Sequence, residues 1–257
     1  MLWRLMAVLL LAAAMAALAA GPAAPERRSG YAFMSRETRA IQDDDAANPG
    51  MLWVLDGEAL WRTKAGAAGG ACFDCHGDAR ASMKGVAARY PAFNAARARP
   101  VSLEERINIC RTEQQKAPRL APEGRDLLAL AAYVGLQSRG LPIAVEIDAR
   151  MQPFAEAGRE AFQRRQGQLN LSCAQCHDDN WDRRLAGNAV TQGHPTGYPL
   201  YRLEWQGLGS LQRRLRNCLA GTRTQAYDYG AAELVELELF LMWRARGMKF
   251  ETPGVRP

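Results

Sequence analysis

The stretch that decides the fold is Cys72–His76 (CFDCH), which has a counterpart at Cys173–His177 (CAQCH). Both read Cys-x-x-Cys-His, the attachment pattern of c-type haem. Two thiols three positions apart on a helical turn can form thioethers with the two vinyl groups of one porphyrin, and the adjacent histidine then supplies an axial nitrogen to the iron. By chance, one such pattern is expected about 0.002 times in a chain of this composition. The two copies therefore predict two covalently bound c-type haems.

Other uses of paired cysteines fit this pattern less well. A thioredoxin-like redox pair would need neither the histidine nor the second copy. A structural zinc site could use Cys-x-x-Cys, but it normally takes its second pair of ligands from a distant segment. We therefore predict thioether attachment and axial ligation by the following residues: Cys72, Cys75 and His76 for the first haem, and Cys173, Cys176 and His177 for the second.

The chain is duplicated around the two motifs. Gly57 and Gly158 stand at the same spacing before Cys72 and Cys173, respectively. Each half then has one further cysteine, preceded at matching positions by a Ser-Leu pair and by an arginine one helical turn away. A repeat of about 100 residues indicates two similar domains rather than a solenoid. We predict a mainly α protein with two tandem cytochrome c-like domains related by internal duplication.

The duplication also sets the predicted segments. They are a signal peptide at 1–20, an N-terminal extension at 21–48, a first cytochrome c-like domain at 49–148 and a second, with the second haem, at 149–257. Within them, Ser102-x-x-Glu105 is typical of a capping box that opens a helix. The glycine- and proline-containing stretch 187–209 is expected to be an irregular loop beside the second haem.

The first residues are typical of a secretory signal. Arg4 is followed by the apolar run 5–20, which ends in small residues. This run is short for a membrane span and suits a signal peptide. No later run approaches the length of a span. We therefore predict an exported protein without a membrane span in the mature chain, the alternative being an uncleaved anchor.

The charges favour small anions over nucleic acid as ligands. The chain has 33 Lys+Arg and 27 Asp+Glu, a net charge of +6, and only four of the basic residues are lysine, which leaves 29 arginines. Arginine makes fixed, fork-shaped contacts with oxyanions. There is no basic stretch interleaved with aromatic residues of the kind that binds single strands. The small net excess of charge predicts anionic ligands or an acidic protein partner.

Cys110 and Cys218 are the additional cysteines of the two halves, and three roles are open to them. They could be buried core thiols, a disulfide between the halves, or the distal axial ligands of the two haems. Their recurrence at one register favours the distal-ligand role, since no methionines recur in this way. His194 is a spare imidazole without a counterpart in the first half. Arg214 lies one turn before Cys218 and is expected to hold an anion beside the sulfur.

The sequence resembles that of a known family. The residues that carry the resemblance are Arg213–Gly221 (RRLRNCLAG), 227–230 (YDYG) and 236–248 (ELELFLMWRARGM), together with both haem motifs and Cys110. They are similar to those of the SoxA family, the larger cytochrome subunits of the SoxAX L-cysteine S-thiosulfotransferases of bacterial sulfur oxidation. The resemblance covers nearly all of the expected mature chain.

The resemblance implies partners, a reaction and site residues. A SoxA-like chain pairs with a SoxX-like monohaem cytochrome c and oxidatively joins thiosulfate to a cysteine of SoxY in a SoxYZ-like sulfur carrier. The electrons go to a small cytochrome c acceptor, and the reaction takes place in the periplasm. The position of Cys218 is both distal haem ligand and catalytic cysteine, found as a persulfide. Arg214 matches a substrate-binding residue, and Cys110 matches the distal ligand of the first haem.

Two functions of other classes stay open at this point. A dihaem c-type cytochrome that only transfers electrons would need Cys218 as a ligand and nothing more. A dihaem peroxidase would need one open iron and favours nearby histidines. The chain has three histidines, and two of them are assigned to the attachment motifs.

Overall fold

Helices dominate the fold, as the sequence predicts, and the strands are short. The computed structural model describes residues 26–185 and 187–257, so the predicted signal peptide at 1–20 lies outside the described residues. The α-helices are α1 (Arg36–Asp43), α2 (Gly50–Arg62), α3 (Cys72–His76), α4 (Ala79–Ser82), α5 (Leu103–Glu113), α6 (Arg125–Leu136), α7 (Gln152–Gln163), α8 (Cys173–His177), α9 (Leu211–Gly221) and α10 (Ala232–Arg244). The strands are β1 (Ala92–Asn94), β2 (Arg99–Val101), β3 (Arg184–Leu185), β4 (Asn188–Ala189), β5 (Leu200–Arg202), β6 (Gly207–Gly209) and β7 (Gly254–Arg256). None of the helices in this part of the chain is both long and apolar enough to cross a membrane.

Each half is built on a closely packed pair of helices, α2 with α6 and α7 with α10. A Cβ atom at Gly57 would lie 2.1 Å from the carbonyl oxygen of Ala129, and one at Gly158 would lie 2.0 Å from that of Glu236. A side chain at either position would force the two helices apart. The close approach explains why both halves carry a glycine at the same spacing before the first haem cysteine.

The two halves share a hydrophobic core. Val54 of α2 and Leu128 of α6 belong to the same buried cluster as Leu239 and Met242 of α10. A second cluster, around Phe162, lies within the second half between α7, α9 and α10. Burial of apolar surface across the boundary ties the halves together, because separating them would expose these side chains to water.

A strand hairpin and a capped helix follow each attachment helix. The Oγ of Ser102 accepts a hydrogen bond from the backbone N–H of Glu105, and the Oγ of Ser210 accepts one from Arg213. These are the N-caps of α5 and α9. The full capping box predicted at Ser102 does not form, because the Glu105 carboxylate pairs with Arg99 instead.

The stretch 187–209 is more regular than predicted. It contains β5 and β6, which pair antiparallel with Leu200 opposite Gly209. The C-terminal strand β7 pairs in parallel with the other edge of β5, with Leu200 opposite Gly254. Because that partner comes from the end of the chain, no local sequence pattern predicts the three-stranded sheet.

The predicted N-terminal extension, in its described part, is bound to the C-terminal segment. The Oε1 of Gln42 accepts a hydrogen bond of 2.9 Å from the backbone N–H of Val255. The buried Asn48 donates to the carbonyl oxygen of Pro253 at 2.9 Å. The helix α1 therefore lies beside β7, on the second half, although it precedes the first half in sequence.

A polar cavity of about 330 Å³ lies between the halves. Its walls include the carboxyl groups of Glu104 on α5, Glu123, and Glu238 on α10. Burial, and then the neighbouring Glu104, raise the pKa of Glu238 to about 8. Burial also raises the pKa of Glu104 and of Glu123. Burial in the cavity therefore opposes the ionisation of all three carboxyl groups, and the pKa of Glu238 lies above neutral pH.

Candidate active site

The two attachment motifs form matching short helices, α3 and α8. At α8 the Oγ of Ser172 accepts from the N–H of Gln175, and the Gln175 side chain accepts from the N–H of Ser172 at 2.9 Å. At α3 the carboxylate of Asp74 accepts from the N–H of Ala71 at 2.8 Å. These caps fix the helical turn that carries the two cysteines and the histidine of each motif.

All six cysteines lie among the described residues, and none of them forms a disulfide. The structure therefore contradicts the disulfide alternative for Cys110 and Cys218. Both cysteines are partly buried on the helices that follow the hairpins, α5 and α9.

In the first half, the structure brings Cys110 close to the attachment helix. Burial raises the pKa of Cys72, and the charge of Cys110 raises it further. The indole of Trp61 lies 5.6 Å from the His76 ring, centroid to centroid, and donates a hydrogen bond of 2.9 Å to the carbonyl oxygen of Gly77. Trp61 thus packs the histidine side of α3 against α2.

In the second half, Cys218 lies against the attachment helix. The Nδ1 of His177 is 2.6 Å from the carbonyl oxygen of Thr191, which leaves Nε2 as the nitrogen available to a metal. The Cys218 thiol lies near the same imidazole. Burial and then the charge of Cys218 raise the pKa of Cys173 to about 11, and the same two causes raise that of Cys176. Cys218 is therefore a neighbour of both cysteines of the second attachment motif.

This second site fits a covalently bound haem. A cavity of about 580 Å³ opens beside His177. Within the described part of the chain, the buried Nδ1 of His194 and one terminal nitrogen of Arg244, both on residues of the cavity wall, lack hydrogen-bond partners. A porphyrin with anionic propionates would supply partners of the right sign to a guanidinium. His194 lies on the His177 side, and burial lowers its pKa to about 4, so its ring is neutral at physiological pH.

The charges around Cys218 favour its thiolate. Burial raises the pKa of Cys218, but the hydrogen bond from His177 and the charges of Arg214 and Arg202 outweigh burial and leave the pKa below its ordinary value. Burial likewise opposes the charge of Arg214, and the facing Cys218 and Tyr198 outweigh it, so the pKa of Arg214 is raised. A thiolate held beside a guanidinium is a nucleophile next to an anion-binding group.

Sequence reasoning missed two members of this site, Tyr198 and Arg202. Tyr198 is partly buried, and its pKa is raised by burial while the charge of Arg214 works in the opposite direction. Arg202 is 8% exposed at the end of β5. Both lie in the stretch predicted to be an irregular loop. The signal that could have found them is the duplication, because the Tyr-Pro pairs at Tyr90 and Tyr198 stand at the same spacing before Cys110 and Cys218.

Paired cysteines on short helices, each pair followed by a histidine and faced by a further cysteine, define a c-type cytochrome. Comparison with known families agrees, since the SoxA/TsdA cytochrome c domain matches this chain twice, over residues 56–143 and 157–250. The chain belongs to the SoxA family. Its two tandem cytochrome c-like units and its capacity to bind c-type haem follow from the two matches.

Similar proteins share most of this chain. The L-cysteine S-thiosulfotransferase subunit SoxA of Pseudaminobacter salicylatoxidans is 39% identical over 232 residues, which are 90% of this chain and 81% of the relative. That of Rhodovulum sulfidophilum is 38% identical over 231 residues, 90% of this chain and 80% of the relative. The solved structure of SoxXA from P. pantotrophus matches with a TM-score of 0.86 and 32% identity, covering 90% of this chain and 87% of that one.

Proposed function

We propose that this protein is the catalytic cytochrome subunit of an L-cysteine S-thiosulfotransferase, which oxidatively conjugates thiosulfate to a cysteine of a sulfur-carrier protein. The observation that carries the proposal is the position of Cys218. It lies against His177 of an attachment helix, with Arg214 one turn earlier on the same helix. The names of relatives that share 90% of the chain support the same activity. A nucleophilic sulfur, a guanidinium for an anion and a redox centre are the groups that this oxidation needs.

Two c-type haems would be held by residues already described. Thioethers would form at Cys72 and Cys75 in the first half, and at Cys173 and Cys176 in the second. The axial ligands would be His76 and Cys110 for the first haem, and His177 and Cys218 for the second. When bound, each haem supplies a one-electron redox centre, and an anionic thiolate ligand lowers its potential because it stabilises ferric iron.

The proposed reaction begins with anion binding. Arg214 holds the sulfonate oxygens of thiosulfate and so places the terminal sulfur next to the Sγ of Cys218. A bond forms between these two sulfurs, which gives Cys–S–S–SO₃⁻ and releases two electrons. The thiolate of the carrier cysteine then attacks the sulfur of the adduct that came from thiosulfate. The bond to Cys218 breaks, its sulfur leaves as a thiolate, and the carrier keeps the Cys–S–S–SO₃⁻ group.

The electrons and the carrier define the proposed partners. A SoxX-like monohaem cytochrome c would form a heterodimer with this chain, and the name SoxXA indicates such a pair for the P. pantotrophus protein. The two electrons would leave singly toward a small cytochrome c acceptor. The acceptor of the thiosulfate group would be SoxY of a SoxYZ-like carrier, and the proposed compartment is the periplasm, reached with an N-terminal signal peptide.

One experiment tests the proposal directly. The purified complex is incubated with thiosulfate, the carrier protein and an oxidised cytochrome c, and the Cys218 peptide and the carrier are analysed by mass spectrometry. We expect a thiosulfate adduct on both. Reduction of the cytochrome without any adduct would instead favour an electron carrier without chemistry of its own. A spectral shift on adding peroxide, with no adduct, would favour a peroxidase.

The variant Arg214→Ala adds a residue-level test. Loss of a charge-assisted contact to the anion is expected to lower turnover about 100-fold while both haems remain attached. Arg213→Ala is the matched control, because Arg213 precedes Arg214 on α9 but stacks on the Trp205 ring at 4.2 Å. Full turnover in Arg214→Ala would remove this residue from the site.

A further inference from the structure

The two halves contain one structural unit twice, without a gap. Residues 90–110 and 198–218 each run from a Tyr-Pro pair through a hairpin and a capping serine to the helical cysteine, and the two segments are equal in length. In the first copy the pKa of Tyr90 is raised by burial, lowered by Arg106 and raised again by Cys110. Tyr198 responds in the same way to burial, Arg214 and Cys218. A tyrosine, an arginine and a cysteine are therefore gathered in both halves.

The copies differ at the last residue of the first hairpin strand. That residue is Asn94 in the first copy and Arg202 in the second, and both stand at the same spacing before the capping serine. The Asn94 side-chain oxygen accepts a hydrogen bond of 3.1 Å from the backbone N–H of Arg97, so it closes its own turn. Arg202 is similarly buried but carries a full positive charge into the second site.

Arg202 has few partners for a buried guanidinium. Among the residues that the structure describes, its Nε has no hydrogen-bond partner. Its one ion pair there, at 2.9 Å, is with Glu204, whose side chain is 62% exposed, and its guanidinium lies 5.2 Å from the centroid of the Trp205 ring. Burying a guanidinium with so little compensation is costly, unless a ligand supplies the missing negative charge.

A second guanidinium lies close by. Arg202 ends β5, and Arg214 lies near the start of α9, which begins just after β6, the strand paired with β5. After burial, the charge of Arg214 also lowers the pKa of Arg202. Two neighbouring cations of this kind favour an anion with two charges. Thiosulfate and other tetrahedral sulfur oxyanions of charge −2 have this chemistry.

We propose that Arg202 is the second guanidinium of the anion site and binds, together with Arg214, the sulfonate oxygens of the substrate. The inference rests on the proposed function and adds the residue that selects a dianion. It also gives a physical reason why chemistry belongs to the second half. The first half gathers Tyr90, Arg106 and Cys110 but has an uncharged asparagine where the second positive charge is needed.

The test uses the complete complex with its haems. Arg202→Asn introduces the side chain that the first half carries at this position, and Arg202→Lys keeps the charge without the fork. Binding of thiosulfate, and of sulfate as a non-reacting dianion, is measured by calorimetry without carrier or electron acceptor. The KM for thiosulfate and the haem content are measured in parallel. Arg213→Gln is the control, because Arg213 stacks on the same Trp205 ring as Arg202.

We expect Arg202→Asn to keep two haems, to weaken the binding of both anions about 10- to 100-fold and to raise the KM for thiosulfate by a similar factor. The anion affinities of Arg202→Lys should lie between those of Arg202→Asn and the wild type, and those of Arg213→Gln should match the wild type. Unchanged anion affinity in Arg202→Asn, or loss of the second haem from both Arg202 variants, would overturn the inference.

The binding measurement separates this inference from the proposed function. A wild-type complex that binds sulfate through Arg202 but forms no thiosulfate adduct would contradict the proposed reaction and leave the dianion site standing. Adduct formation that is insensitive to Arg202→Asn would contradict the dianion site and leave the proposed reaction standing.

Discussion

Replacing Glu238 by glutamine should make the protein more stable at neutral pH. Glu238 is 9% exposed, and its pKa is raised from 4.5 to about 8 by burial and by Glu104. The folded protein therefore keeps a proton on this carboxyl that the unfolded chain releases above pH 4.5. The free energy of unfolding must then fall as the pH rises from about 4.5 to about 8, and level off above.

The size of the effect follows from the same two values. From pH 4.5 to pH 7, at about 1.4 kcal/mol per pH unit, this carboxyl costs the folded state about 3 kcal/mol. Glu238→Gln removes that cost, because a neutral amide can still accept the 3.2 Å hydrogen bond from Gln212. The other titratable groups of the same cavity are Arg99, Glu104, Glu105, Arg119, Glu123 and Tyr229.

The assay is guanidinium unfolding followed by circular dichroism at several values between pH 5 and pH 8. Wild-type stability should decline across this range, and Glu238→Gln should decline less and exceed the wild type at pH 7. Glu233→Gln, an exposed position on the same helix, is the control and should follow the wild type. Parallel curves for the wild type and Glu238→Gln would refute a protonated carboxyl in the cavity.

Two further predictions concern packing and capping. Gly158→Ala should lower the free energy of unfolding by about 1–3 kcal/mol, because its Cβ would lie 2.0 Å from the Glu236 carbonyl oxygen. Gly221→Ala has open space around its Cβ and should change the free energy of unfolding by less than about 1 kcal/mol in the same guanidinium titration. Equal losses in the two variants would contradict the close approach. Ser210→Ala should lower the free energy of unfolding by about 1–2 kcal/mol, because the cap of α9 is lost. The loss should exceed that in Ser102→Ala, because Ser210 also donates to Glu123. A smaller loss than in Ser102→Ala would count against the bond to Glu123.

The sequence predicted the parts of the site that depend on local spacing. Each attachment helix needs only a short run of consecutive residues, and Arg214 reaches Cys218 because four residues make about one helical turn. The glycines at 57 and 158 could be seen to recur, but the reason, contact with another helix, needed the structure. Residues three or four positions apart meet through helix geometry alone, so such patterns can be interpreted without a fold.

The missed features depend on pairing between distant segments. The strand β5 exists because β7 returns from the end of the chain to pair with it, and Arg202 is placed by that sheet. Glu105 was expected to cap its own helix, and it pairs with Arg99 across the hairpin instead. The cavity carboxyls Glu104 and Glu238 lie in opposite halves of the chain, and each alone looks like an ordinary surface glutamate. Sequence spacing cannot reveal which side chains are brought together from opposite halves.

The first half contributes to the reactive site apart from any haem it carries. The helix α9 bears Arg214 and Cys218, and its N-cap is Ser210. Both the backbone N–H and the hydroxyl of Ser210 donate to the carboxylate of Glu123, which belongs to the first half. The start of the reactive helix is therefore fixed by a side chain from the other unit, in the same way that the shared core fixes α10. In the proposed reaction the guanidinium and the sulfur face one small anion, so a shift of this helix would separate them from Arg202, which is held by the sheet. The duplicated half thus acts as a support that keeps two elements of the second half in register.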